Sequence, residues 1–517
     1  MSKPTATASA PAADVDAPIR TVAFVSLGCP KNLVDSERML GLLAQDGLTI
    51  TADENEADAI IINTCGFLEA SKTESLNEIR QALALKANGR LRRVIVAGCL
   101  VQRHKTKLLD EVPGVDRLVG VFDREHIVEA VRGKSNPRQE HGHYLGKYHD
   151  LTKRVDSGKL IVDRDEGSAP FDQLPTKNYQ LPVFEDDRAR LRLTPRHYAY
   201  LRISEGCNQG CGFCTIPSIR GPMRSKPIEQ ILAEARELAA DGAVELNLIG
   251  QDTTSFGMDV GYTPGLSGML KALDKEMPRD VQWIRLMYAY PSTFSDDMIK
   301  ALADSDRFVK YIDMPLQHIN DRVLTLMKRR VTRKQIDTLL DKLRKWIPGM
   351  AIRTTLIAGS PTEIEAEHQE CVQWVKDFGF DHLGVFAYSP EPGTPMGRMQ
   401  DQVPHAVRQQ WVEDIMLAQQ ELVFARNEKR VGETVEVLID RMDSSPEAQG
   451  KPSLGVGAHY VARTQGQAPD IDSCVFLLSP KRLAPGEIVK ATISDYQNYD
   501  LVASIAKEKR RSLKMMG

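Results

Sequence analysis

Apolar residues along this chain fall into short β-branched runs. Between the runs lie longer stretches where apolar positions return every three or four residues. That alternation predicts parallel strands joined by helices. The first region repeats the unit three times: residues 21–28, 59–64 and 93–98 read as strands that run into Cys29, Cys65 and Cys99. Helical patterns at 32–45 and 68–87 fill the gaps, and the cysteine intervals of 36 and 34 residues hold a strand, a crossover helix and loops. In a parallel sheet the carboxyl ends of all strands share one edge, where ligands gather. The three cysteines are therefore expected to converge.

Residues from about 134 to 192 are charged and lack clear periodicity, so they read as a linker long enough to carry some structure of its own. His141, His143 and His149 lie in it and read as scattered linker histidines rather than a metal site. From Tyr198 the alternation resumes, with strand patterns at 198–204, 244–249, 283–288, 311–314, 352–357 and 382–388. Helical stretches such as 227–240 and 333–345 separate them. Six such units predict a partial (βα)6 barrel whose site lies at the carboxyl ends of its strands. A long helical segment, 405–429, closes this region, and four short β-runs follow at 434–439, 459–462, 474–478 and 488–495. They predict a small all-β barrel of OB-like type. The expected class is α/β: a parallel βαβ domain at 19–133, a linker at 134–195, a partial barrel at 196–429 and a β-barrel at 430–505. A disordered tail at 1–18 and a basic tail at 506–517 flank them.

The 517 residues agree with about three domains. A formal net charge of −3 excludes a global basic field of the kind many nucleic-acid binders carry. Eight cysteines are too few for a disulfide scaffold and imply a reducing compartment. No apolar run approaches the ~18 residues of a membrane helix, and residues 1–18 lack the apolar core of a signal peptide. A cytoplasmic, membrane-free protein is expected.

The densest chemistry is the loop Cys207-Asn-Gln-Gly-Cys211-Gly-Phe-Cys214. Three thiolates in eight residues can hold three irons of a four-iron cluster and leave the fourth iron open to a chelating small molecule. The spacing is that of radical S-adenosylmethionine (SAM) enzymes. A zinc ribbon is the structural alternative, but zinc takes four protein ligands in paired short spacings. No nearby cysteine completes such a set, and His197 is the closest substitute. Iron-bound SAM yields a carbon radical that removes hydrogen from unactivated carbon. No side-chain base reaches that, since protein environments shift pKa values by only ~3–5 units. No catalytic acid or base is assigned.

Buried packing would explain any one strand-end cysteine. Three in matching positions of successive units instead point to a second cluster, held by Cys29, Cys65 and Cys99, with one iron free for an exogenous sulfur atom. Cys371, in a helical pattern, and Cys474, in a β-run, read as packing residues.

In order, the cysteine triplet, the Cys207 loop and the β-module resemble the methylthiotransferases, which carry an N-terminal cluster domain, a radical-SAM domain and a TRAM domain. The resemblance covers nearly everything from residue 20 to about 505. One branch of that family modifies an adenosine beside the tRNA anticodon; the other modifies an aspartate of ribosomal protein S-12. Ser26-Leu27-Gly28-Cys29-Pro30-Lys31-Asn32, Ile216-Pro217-Ser218-Ile219-Arg220-Gly221, Gln251-Asp252-Thr253-Thr254, Tyr288-Ala289-Tyr290-Pro291 and Pro315-Leu316-Gln317-His318 resemble the ribosomal-protein branch. The resemblance implies two [4Fe-4S] clusters, an electron donor and two SAM molecules. One SAM methylates a sulfur on the auxiliary cluster; the other supplies the radical that activates the substrate's β-carbon. By the same match Gln251, Gln317 and Arg353 are SAM contacts. The alternatives are tRNA adenosine methylthiolation and a non-catalytic iron–sulfur scaffold.

Two departures stand out. Thr362 replaces a family glycine, at a turn expected to need positive φ, and Pro392 interrupts Glu391-Pro392-Gly393-Thr394. Residues 432–503 hold ten acidic and six basic side chains, a balance that suits a basic protein partner, S-12 free or in the small subunit, better than RNA. Lys507, Lys509, Arg510, Arg511 and Lys514 in the tail cancel it.

Overall fold

The computed structural model describes residues 18–133, 143–146, 184, 186–443 and 458–505. The expected tails, together with His141 and His149, lie outside them, except that Pro18 is described. The chain divides into two compact units.

The first unit takes residues 1–193 together with 205–209 and 215–227. Its sheet contains β1 (Thr21–Ser26), β2 (Thr49–Thr51), β3 (Ala59–Thr64), β4 (Arg93–Gly98) and β5 (Arg117–Val119), all parallel in the order β2-β1-β3-β4-β5. The expected strands are β1, β3 and β4; the three-residue edge strands β2 and β5 carry too short a pattern to be read from sequence. Every residue of β3 is buried. Ile60 and Ile62 face one apolar layer, with Leu76 and Ile79 of α2 (Glu69–Ala87), while Ile61 faces the other, with Met39 and Leu43 of α1 (Pro30–Gln45). Helices cover both faces, which is why residues 59–62 of β3 are continuously apolar rather than alternating.

Part of the expected linker is built into this unit. Val119 bridges to Tyr144 in parallel, and His143 Nδ1 accepts from the Leu118 amide at 3.1 Å, a structural use of a histidine. Glu37 receives the Leu193 amide at 2.9 Å and pairs with Arg190 at 3.3 Å.

The second unit takes 194–204, 210–214 and 228–517. Six parallel strands run in the order β11-β10-β9-β8-β7-β6: β6 (Tyr198–Arg202), β7 (Glu245–Ile249), β8 (Trp283–Leu286), β9 (Phe308–Asp313), β10 (Ala351–Ala358) and β11 (His382–Ala387). A closed five-stranded barrel follows, β12 (Thr434–Met442), β13 (Ala458–Thr464), β14 (Val475–Ser479), β15 (Ile488–Gln497) and β16 (Asp500–Ile505), with β16 the strand that four β-runs did not foresee. Asn498, at φ 56°, turns the chain from β15 into β16.

A buried charge network fastens this barrel to the floor of the six-stranded sheet. Arg463 of β13 pairs with Glu245 at 2.8 Å and Asp440 at 2.8 Å, Glu245 also takes Arg285 at 2.8 Å, and His197 meets Asp440 at 2.9 Å. Asp472 pairs with Arg353 at 3.3 Å, and Asp470 accepts from Tyr198 and Tyr200 at 3.1 Å. The acidity of the module is thus partly neutralised inside its own unit.

Candidate iron–sulfur and SAM site

Cys29 caps the amino end of α1, with Pro30 fixing the first helical turn. Cys65 follows β3 directly, and Cys99 follows β4 as the first residue of α3 (Cys99–His104). The three thiols come close enough for each to act electrostatically on its neighbours. Burial pushes the Cys65 thiol up, and pushes Cys99 up to about 12 against the opposing charge of Arg220. Among the described residues no three His, Cys, Asp or Glu close around a point as ligands of one ion do; the thiols around a four-iron cluster stand further apart.

The cradle is tight. A Cβ at Gly28 would lie 2.8 Å from Cys65 Cβ, and one at Gly66 would lie 2.7 Å from Leu100 Cα. Asn32 donates to the Leu27 carbonyl at 2.6 Å, while Asn63 donates to the Asn32 carbonyl at 2.9 Å and to Ser36 at 2.8 Å. Ser75 clasps Cys65 by accepting from its amide at 3.2 Å and donating to its carbonyl at 2.9 Å. These bonds explain the Ser-Leu-Gly-Cys-Pro-Lys-Asn run: the glycine makes room and the asparagine braces the cysteine loop.

A residue of the quoted Ile216–Gly221 motif also reaches this cradle. Arg220 ends α4 (Ile216–Arg220) and is buried. It donates to Cys99 Sγ at 3.1 Å, to Asn32 Oδ1 at 3.3 Å, to Asp35 at 2.8 Å and to Glu205 at 3.2 Å. Arg124 bridges Asp35 and Asp187 at 2.6 and 2.7 Å, and Lys226 closes the chain on Asp187 at 2.8 Å.

Cys207 belongs to the first unit and its amide donates to the Gly221 carbonyl at 3.2 Å. Cys211 and Cys214 belong to the second. There Arg329 lies 3.9 Å over the Tyr290 ring and directs Nη1 to Cys211 Sγ at 3.6 Å. His197, the substitute zinc ligand, is committed to Asp440. Cys371 is buried inside a helix, and Cys474, whose thiol burial pushes up to about 12, hangs its amide on Asp500 at 2.8 Å.

The carboxyl edge of the six-stranded sheet is strained. Tyr288, Gln317 and Thr362 follow three successive strands with φ of 59°, 75° and 62°, and non-glycine residues are held in that region at a cost of ~1–3 kcal/mol each, most often at functional sites. Gln317 is locked by its amide to Thr355 at 2.8 Å and its carbonyl to Ile357 at 2.8 Å; its side-chain Oε1 is buried with no hydrogen-bond partner among the described residues. Such an orphaned acceptor fits a donor group of an incoming ligand. Gln251 follows β7, in a loop organised by Asp252, which receives the hydroxyls of Thr254 and Ser255 at 2.6 Å each. Arg353 differs from expectation: it is the third residue of β10, toward the strand's amino end, and its guanidinium is committed to Asp313 at 2.7 Å and Asp472 at 3.3 Å. Its place in the floor network corrects its assignment as a SAM contact.

The two departures from the family pattern have local answers. Thr362 does take positive φ, and Arg322 holds it by donating to its hydroxyl at 3.1 Å and its carbonyl at 2.8 Å. Pro392 precedes Gly393 at φ 88°, and the Thr394 amide returns to the Glu391 carbonyl at 3.2 Å, a turn in which proline fits the second position.

Three family models match in succession: "Uncharacterized protein family UPF0004" at 21–120, the "Radical SAM superfamily" at 201–375 and the "TRAM domain" at 431–506. The chain is 39% identical over 487 residues to the ribosomal protein uS12 methylthiotransferase RimO of Trichlorobacter lovleyi, covering 94% of this chain and 98% of that one. It is 40% identical over 484 residues to RimO of Geobacter sulfurreducens, covering 94% and 98%. The chain belongs to the RimO family. The similarity covers most of both chains, and the three family models follow one another along it.

Proposed function

We propose that this chain attaches a methylthio group to the β-carbon of an aspartate of ribosomal protein S-12. The carrying observation is its membership of the RimO family along almost the whole length of both partners in the match. Cys207, Cys211 and Cys214 hold the cluster that binds SAM; Cys29, Cys65 and Cys99 hold the auxiliary cluster. The donor sets fit: each trio has an arginine directed at one of its sulfurs, and the auxiliary trio sits in a glycine-lined cradle. When bound, the clusters and SAM supply carbon radical formation and a sulfur for transfer.

The chain's own residues position and shield. Gln251 and Gln317 are the SAM contacts we retain, the latter through its free buried acceptor. Asp252 and Thr254 shape the loop beneath them, Thr254 accepting the Tyr290 amide at 3.0 Å. Tyr290 and Arg329 cover Cys211, and burial keeps the Tyr290 phenol protonated despite the arginine. Electrons come from an external low-potential carrier, and S-12 is taken free or within the small subunit. No helix among the described residues is long and apolar enough to cross a membrane, and we place the reaction in the cytoplasm, where these thiols stay reduced.

The test is incubation of anaerobically reconstituted enzyme with SAM, a reductant and sulfide, plus free S-12, small subunits or unmodified tRNA. Mass spectrometry should find the methylthio addition on S-12. A gain on tRNA with none on S-12 overturns the reading, and absence of 5′-deoxyadenosine leaves the scaffold alternative.

A further inference from the structure

We infer that Arg220 is a positioning residue of the auxiliary cluster, donating a charge-assisted hydrogen bond to the Cys99 sulfur that raises the cluster's reduction potential while anchoring the Cys207 loop beside it. The inference rests on the assignment of Cys29, Cys65 and Cys99 as ligands.

Arg220 lies 121 residues from Cys99 in sequence, yet its Nη2 stands 3.1 Å from that sulfur. The residue is 1% exposed, so the bond forms away from water, where such bonds are strongest. Its other nitrogen is held by Asp35 and Glu205, so the fork cannot rotate away from the sulfur. Asp35 is in turn fixed by Arg124, and Arg124 by Asp187, all buried. This many buried partners on one guanidinium is costly to assemble and serves orientation better than stability. Hydrogen bonds to cluster sulfurs and nearby positive charge favour the reduced, more negative form.

The same arginine reaches the other cysteine loop through the backbone. Glu205 precedes Cys207 by two residues, and the carbonyl that accepts the Cys207 amide belongs to Gly221, next to Arg220. Gly206, at φ 79°, makes this approach possible: a Cβ there would lie 2.2 Å from the Pro222 carbonyl oxygen. One side chain thus touches a ligand of the auxiliary trio while its own segment grips a ligand of the other.

The experiment uses the full chain with Cys207, Cys211 and Cys214 replaced by alanine, so that only the auxiliary cluster can form. It is made with 15N-arginine, reconstituted, assayed for iron and sulfide, reduced and studied by pulsed EPR. We expect about four irons per chain, a 15N coupling to the reduced cluster, and a midpoint potential that falls in Arg220→Lys, where the charge stays but the rigid fork is lost, with the coupling gone. No 15N coupling in an iron-loaded protein overturns the inference, as does an iron-loaded Arg220→Lys titrating at the parent potential. If Arg220→Lys does not accumulate, the parent spectrum decides alone. Failure of the auxiliary-only protein to hold any iron sinks the ligand assignment itself, and the inference with it.

Discussion

At the scale of single residues, function and strain meet. Cys29→Ala should leave SAM cleavage to 5′-deoxyadenosine intact and abolish methylthio transfer, because it removes a ligand of the auxiliary trio alone. Both products are measured in one assay, and loss of both together would contradict separate roles for the trios. Thr362 is a stability matter. Its φ of 62° costs a β-branched residue roughly 1–2 kcal/mol, and of the two Arg322 bonds only the one to the hydroxyl depends on the threonine side chain. Thr362→Gly should therefore raise stability by about 1 kcal/mol in urea denaturation, and a lower midpoint would show that the Arg322 bond to the Thr362 hydroxyl more than compensates. The Cys207 loop stands out in the sequence because three thiols lie within eight residues, and Cys29, Cys65 and Cys99 because each ends a strand of a repeated unit. Arg220 was quoted within a motif but had no readable role, since its partners are Asn32, Asp35 and Cys99, far away in the chain.

Elements were legible where both faces are covered or the period is long. The β-branched runs at β1, β3 and β4 and the helices α1 and α2 were found within a few residues. β2 and β5, three residues each, were missed because so short an edge strand has no period to detect. The strand expected at 283–288 stops at Leu286, because Tyr288 turns left-handed to bring its amide to Asp313 at 3.1 Å. Helix termini are local enough to predict from. The helix Arg333–Trp346 opens on a capping box in which the Thr332 amide donates to Gln335 Oε1 at 2.8 Å and the Thr332 hydroxyl accepts the Gln335 amide at 3.4 Å. Thr332→Ala should cost about 1 kcal/mol, read as a lower urea midpoint with cluster content unchanged.

Over the whole molecule, charge totals misled where pairing decides. The balance of residues 432–503 counts Asp472 as uncompensated, yet it is tied to Arg353, a cation outside that stretch. Arg463→Met should cost ~3–5 kcal/mol, because it leaves Glu245 and Asp440 buried with too little positive charge; urea unfolding followed by circular dichroism measures it. The same network sets an acid limit. Burial alone would raise Glu245 and Asp440, but Arg463 and Arg285 hold the first below its usual value, and His197 with Arg463 hold the second. Carboxyls lowered in the folded state contribute fully above their unfolded values, near ~4, and lose that contribution as pH falls through the lowered folded ones. Stability followed from pH 7 downward should hold to about pH 5 and drop below about pH 4, and Glu245→Gln should flatten the drop.

The first unit is not a continuous piece of chain: it borrows 205–209 and 215–227 from beyond its own carboxyl boundary. Cutting near residue 194 would therefore strip Arg220 and Gly221 from the scaffold they complete, so neither fragment would be a finished module. Hybrids that graft the amino-terminal portion of one relative onto the remainder of another should succeed only when those two short stretches travel with it.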